Sequence, residues 1–257
     1  MKPYIIASPM YDYTSGGIKV MWGLFGWLLA KGVEVYMNML PKRRSPNDCI
    51  AIYPEIQNGN PVGTDKIIRY VLAPLGEMGA INQFGQFVPG PLVFGENEKV
   101  YYFSRLFGKT DDSHYLFLPV INLHIFKDYG KERNRVCFLV GKGKNQYKHP
   151  KNAIELSRTF AQDQKALADL LNECHTFYCY DKRTAMMEVA RLCGCSVMYY
   201  GEHTKKELSL YEPGLNGIGF NGKRQKLDSK AFRKHYIGLI KEFETRLDTF
   251  LEETQKW

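Results

Sequence analysis

The chain has 257 residues, 44% of them hydrophobic and 24% charged, with a formal net charge of +8. Those values exclude a disordered or fibrous chain and leave room for one large domain or two small ones. The longest apolar run, Val20 to Ala30, contains two glycines and falls short of the ~20 residues of a membrane span, so a cytoplasmic protein with an anionic partner is expected.

Tyr4 to Met10 is an apolar run that reads as a first strand. The polar turn Asp12 to Gly17 (DYTSGG) follows, then a helix from Ile18 to Lys31, apolar nearly all round, with Gly32 as its C-cap. Val33 to Met37 completes a βαβ unit. Gly16 and Gly17 either let a phosphate or sugar approach the backbone or simply make a tight turn. Cys49 to Tyr53 reads as a third strand, ending in the loop PEIQNGNPVG. Thr64 is placed to cap a helix over Asp65 to Leu72. Val100 to Phe103 and Tyr115 to Val120 are further strand candidates, and the aromatic stretch Phe84 to Phe94 reads as a loop.

A boundary is expected between Asn122 and Arg135, where the chain turns polar and basic. From Lys131 to Arg158 there are eight lysines and arginines against two glutamates. Val136 to Val140 reads as a buried strand and GKGKN (Gly141 to Asn145) as a phosphate-type turn. Helices are expected over Asn152 to Phe160 and Gln164 to Cys174, then a strand from His175 to Tyr180. A helix over Arg183 to Cys193, a strand from Ser196 to Tyr200 and a long helix over Ser229 to Gln255 follow. Strands alternating with helices indicate parallel sheets.

Chemistry concentrates in two stretches. In GKGKN, glycines expose backbone N–H groups while Lys142 and Lys144 supply charge for a diphosphate; a solvated turn is the plainer alternative. In Tyr178 to Gly201, Asp181, Thr184 and Glu188 lie at the start of a helix, Thr184 and Glu188 on one face. Glu188 sits among apolar residues, and either accepts ribose hydroxyls or pairs with Lys182 or Arg191. The six cysteines form no CxxC pair, and no metal site is expected.

SGGIKVMWGLFGWLLAKGVEVYM (Ser15 to Met37), AIYPEIQNGNPVGTDKIIRYVL (Ala51 to Leu72), VCFLVGKGKN (Val136 to Asn145) and YCYDKRTAMMEVARLCGCSV (Tyr178 to Val197) carry a family resemblance. The chain resembles nucleotide-sugar glycosyltransferases of the GT-B fold, near glycosyltransferase family 4 and the bacterial cell-surface polysaccharide enzymes. The resemblance implies two Rossmann-like α/β domains facing a cleft: residues 1–130 on the acceptor side, residues 131–228 binding the donor, and a C-terminal helix over 229–257. It implies a UDP- or GDP-sugar donor, no metal or cofactor, and a glycan or lipid-linked acceptor. Peripheral contact with the inner face of the membrane is expected, and nucleic acid is not. Gly16, Gly17, Gly141, Lys142 and Lys144 would meet the donor phosphates, with Thr184 and Glu188 on its nucleoside. Glu55, Asn58 and Asn60 would form the acceptor-side loop, and Asp12 would be the base of an inverting enzyme. Where the family carries the first glutamate of its E-x7-E pair this chain has Tyr180, so either the neighbouring Asp181 takes the sugar-contacting role or the enzyme works without it. A non-catalytic transferase-like subunit and a basic nucleic-acid-binding module are the competing readings.

Overall fold

The computed structural model describes residues 1–42, 44–81, 86–88, 94–108, 111–157 and 160–257. The chain divides into two compact units: Met1–Val120 with Ile240–Trp257, and Ile121–Leu239.

In the first unit, β1 (Tyr4–Ile6) leads to α1 (Gly16–Ala30), β2 (Val35–Met37), β3 (Ile50–Pro54) and β4 (Ile67–Val71). The two-residue strands β5 (Ala80–Ile81) and β6 (Phe87–Val88) form a separate antiparallel pair before β7 (Lys99–Tyr102). The main sheet is parallel, in the order β2-β1-β3-β4-β7. Ser15 starts α1 by accepting the Ile18 N–H on its hydroxyl, and Gly32, at φ +71°, turns the chain out of it. Val20, Met21, Leu24 and Leu28 form the buried stripe of α1.

The second unit holds β8 (Arg135–Leu139), β9 (Ile154–Glu155), α2 (Gln164–Glu173), β10 (Cys174–Cys179) and α3 (Met186–Leu192). After them come β11 (Ser196–Tyr199), the single turn α4 (Lys205–Leu208), β12 (Ile218–Phe220) and α5 (Ser229–Gln255). Its sheet is also parallel, in the order β9-β8-β10-β11-β12. The α/β class, the parallel sheets and the C-terminal helix are as the sequence predicts. The last part of α5 belongs to the first unit, where Phe243 packs on Trp27 and Asp248 pairs with Lys31 at 2.6 Å.

Three element predictions are corrected. Residues 67–71 are a fully buried strand, not part of a helix capped by Thr64. The Thr64 hydroxyl instead donates to the Cys49 carbonyl at 2.7 Å, tying the start of β4 to β3. The sequence IIRYV is apolar on both faces apart from Arg69, whose charge is met internally by Glu98. Residues 154–155 form strand β9 beside Cys137 and Phe138, where a helix over Asn152 to Phe160 is expected. Tyr115 to Val120 is no strand but a segment buried from Tyr115 to Leu118, with one bridge to Tyr102, lying against α1 at Gly23, where a Cβ would come within 3.1 Å of Leu118. The stretch Phe84 to Phe94 lies outside the described residues except for 86–88 and 94.

All six cysteines are free and buried. Among the described residues no helix is long and apolar enough to cross a membrane.

Candidate functional site

Both sheets have the same doubly wound order. The chain leaves the first strand to one side and returns on its other side, so the strands flanking the reversal open a crevice at their carboxyl ends. In the first unit the crevice lies between β1 and β3, and in the second between β8 and β10. The residues following those four strands are where a doubly wound protein binds its ligand. Asp12, Gly16 and Gly17 follow β1, and Glu55, Asn58 and Asn60 follow β3. GKGKN follows β8, while Asp181 and Thr184 follow β10.

The second unit brings Gly141, Lys142 and Asp181 into contact. Asp181 is buried; one carboxylate oxygen accepts the Lys142 N–H and the other the Arg183 N–H, both at 2.9 Å. Gly141 has φ +56°, and a Cβ there would stand 2.0 Å from Asp181 Oδ2. A Cβ on Gly143 would stand 1.8 Å from the Tyr180 carbonyl oxygen. The two glycines therefore let the loop lie directly across the Tyr180–Asp181 dipeptide. Lys142 and Lys144 are exposed above it.

Tyr180, which sequence reasoning treats only as a missing acid, pins the far side of this loop. Its hydroxyl accepts the Lys148 N–H at 3.0 Å and lies 2.7 Å from His149 Nδ1. Giving the hydroxyl proton to Nδ1 uses every donor, and it leaves the imidazole proton on Nε2. The His149 ring stacks on Phe138 with centroids 3.9 Å apart. It belongs to an aromatic face built from alternate residues of neighbouring strands, with Phe138, Tyr178 and Met198 in register. A lysine-rich loop containing a tyrosine and a histidine, facing strands with alternate tyrosines, is the signal that could have found this arrangement.

Burial lowers the His149 pKa from its ordinary 6.5, with the Glu155 charge acting the other way. A histidine depressed on folding contributes stability that is present above about 6.5 and lost as pH falls through its folded pKa. The groups around the ring are the Phe138, Tyr147 and Tyr178 rings, the Tyr180 hydroxyl and the Glu155 charge. Amide exchange at Lys148, corrected for its intrinsic rate, is therefore expected to quicken between about pH 8 and pH 5. A His149→Gln variant should flatten that change; an unchanged profile in the variant would remove His149 as the titrating group.

Thr184 is half-buried just before α3, and Glu188 is buried within it. Thr184 Oγ1 accepts the Met186 N–H at 3.2 Å. Glu188 is 1% exposed, and its carboxylate faces the Arg191 guanidinium at 3.5 Å. Arg191 also donates to the carbonyls of Gly214 and Asn216, and its guanidinium lies 4.0 Å above the Phe232 ring. Burial lowers the Arg191 pKa to about 10 against the opposing pull of Glu188. Of the alternatives the sequence leaves open for Glu188, the structure displays the pairing with Arg191.

In the first unit, Asp12 closes a turn, its Oδ1 accepting the Thr14 N–H at 2.7 Å and the Thr14 hydroxyl at 2.8 Å. Gly16 and Gly17 are the first residues of α1, and a Cβ on Gly16 would meet nothing within 4 Å. Glu55 is buried and accepts the Leu72 N–H at 2.8 Å. Asn58 donates its N–H to the Ile81 carbonyl at 2.6 Å. Asn60 accepts the Tyr53 hydroxyl at 3.0 Å and donates to the Thr64 carbonyl at 2.8 Å, so its side chain shapes the loop. The sequence gives no notice of two exposed tyrosines in the same connection as Asp12: Tyr11, whose ring lies against Trp22, and Tyr13, whose ring lies against Tyr11.

Among the described residues no group of three or more His, Cys, Asp or Glu side chains can hold a metal ion. Fold and loops together define an α/β protein with two doubly wound parallel sheets, the second carrying a pinned basic loop at its crevice. Comparison with models of known protein families and with curated protein sequences finds no match for this chain.

Proposed function

We propose that the chain is a GT-B-type glycosyltransferase that binds a nucleoside-diphosphate sugar on its second unit. Its acceptor is a cell-surface glycan or a glycolipid. One observation carries this reading: the basic GKGKN loop lies across the crevice end of β8 and β10, fixed by Asp181 and Tyr180.

The proposed step forms a bond from an acceptor hydroxyl oxygen to the anomeric carbon and breaks the bond from that carbon to the diphosphate oxygen. The nucleoside diphosphate leaves with the bonding pair. Lys142 and Lys144 offset its charge, which is stronger catalysis when the loop is fixed beforehand. The acceptor proton passes to a carboxylate base and then to water. Asp181 has a different part from the one the resemblance implies. Both its oxygens already accept backbone N–H groups, so it holds the loop that holds the diphosphate. An enzyme with lipid-linked acceptors would work at the inner face of the membrane, where a basic surface helps.

Calorimetry with UDP and GDP in the presence of EDTA tests the proposal. One of the two should bind, and Lys142→Ala should weaken it about tenfold, about 1.4 kcal/mol. Binding of neither, or binding that EDTA abolishes, would sink the reading. The buried pairing of Glu188 favours a second reading, a non-catalytic transferase-like subunit. Sugar transfer or donor hydrolysis by the purified chain dismisses it.

A further inference from the structure

We infer that Tyr147 is the platform on which the base of the bound nucleotide stacks; this rests on the proposed nucleotide site of the second unit. Tyr147 is 80% exposed, more than any other aromatic side chain among the described residues. Exposure alone would mean little. Its backbone, however, is held in the left-handed region at φ +50°, a conformation strained for a residue with a Cβ. The Asn145 carboxamide oxygen accepts the Tyr147 N–H at 2.8 Å, and the next residue, Lys148, donates its N–H to Tyr180. The ring is thus presented outward from a backbone fixed on both sides.

The rings behind it form a series. Phe138 is buried in the sheet, His149 lies on it at 3.9 Å and 13°, and Tyr147 follows at 6.3 Å and 42°. The series runs from the core to the surface and stops at Tyr147, whose outer face is open to one more planar group. The charge around it selects that group. Lys144, Lys148 and Lys151 are exposed in the same loop. Among the described residues, the ion pairs of this unit include those of Lys131, Arg133, Arg135, Lys182 and Arg191. A planar ring joined to a di-anion fits an exposed aromatic ring bordered by lysines.

A single base fits better than a strand of nucleic acid. Single-stranded nucleic acid is held by successive exposed rings. Here Tyr178 and Tyr180 are buried beneath the loop, and one ring alone stands clear at its tip.

Calorimetry on the full chain separates the base from the phosphates, using UDP, GDP and inorganic pyrophosphate. Tyr147→Ala should weaken the preferred nucleoside diphosphate about tenfold, as loss of one stacked base does, and leave pyrophosphate unchanged. Tyr147→Trp should restore the nucleotide affinity. If Tyr147→Ala changes neither ligand while Lys142→Ala weakens both, the inference falls and the nucleotide site survives. If the unaltered chain binds no nucleoside diphosphate, both fall. Tighter, steeply salt-dependent binding of an oligouridylate that Tyr147→Ala abolishes would overturn the inference in favour of nucleic acid.

Discussion

Replacing Arg69 with methionine is expected to destabilise the first unit by about 3–5 kcal/mol, the usual cost of leaving a buried charge without its partner. Arg69 lies in β4 between β3 and β7 and is 1% exposed. Its Nε and Nη2 donate to the two oxygens of Glu98 at 2.6 and 2.8 Å. The remaining donors reach the carbonyls of Gln57 at 2.6 Å and Gly59 at 2.7 Å, and the guanidinium lies 5.0 Å above the Tyr53 ring. Methionine fills much of the volume but strands one carboxylate and two carbonyls away from water. Urea unfolding measures the loss. The double variant Arg69→Met with Glu98→Leu should recover a large part of it, because the pair's attraction mainly offsets its own desolvation. A single-variant loss under about 1 kcal/mol would mean that the site relaxes to admit water.

Gly143→Ala is the second large effect, and it is local. The new methyl carbon would sit 1.8 Å from the Tyr180 carbonyl oxygen and 2.5 Å from its carbonyl carbon. Both are backbone atoms of the residue that follows β10, so neither can swing aside as a side chain would. The loop has to lift instead, and with it go the Lys142 N–H to Asp181 bond and the Lys148 N–H to Tyr180 bond. A cost of about 1–3 kcal/mol is expected, as for other overpacked sites. Amide exchange should lose its protection at Lys142 and Lys148 together, and nucleotide binding should fall with it. Gly16→Ala is the control, since its Cβ enters open space at the start of α1. Protected amides in Gly143→Ala would show that the loop does not rest on Tyr180.

How far such features can be read from sequence depends on where their partners lie. The segments that became β1, α1 and β2, and later β8, β10 and β11, are apolar runs bounded by glycine or polar turns, and their signal is local. β4 was hidden by Arg69, because a charge in mid-run argues against a buried strand until Glu98 is found 29 residues away. β9 was hidden by its brevity, two residues held by Phe138 and Cys137. The candidate site divides in the same way. GKGKN is legible as a basic glycine turn, and the crevice position of Asp181 follows from the strand order. The acceptance of Lys142 N–H by Asp181 joins two loops 39 residues apart and no spacing encodes it. Glu188 is the instructive case, since the apolar helix around it makes it conspicuous for either of two reasons. Arg191, three residues on, supplies the partner.

The buried cysteines have a practical consequence. Cys49 is the single thiol of the first unit, while Cys137, Cys174, Cys179, Cys193 and Cys195 all belong to the second. A maleimide reaches any of them only when the surrounding structure opens. Each chain therefore carries its own mass-resolved clock: one added label records the opening of one unit, and a jump of five records the other. Intact-mass spectrometry after timed alkylation would read the two unfolding events in the same tube, with no residue altered to do so.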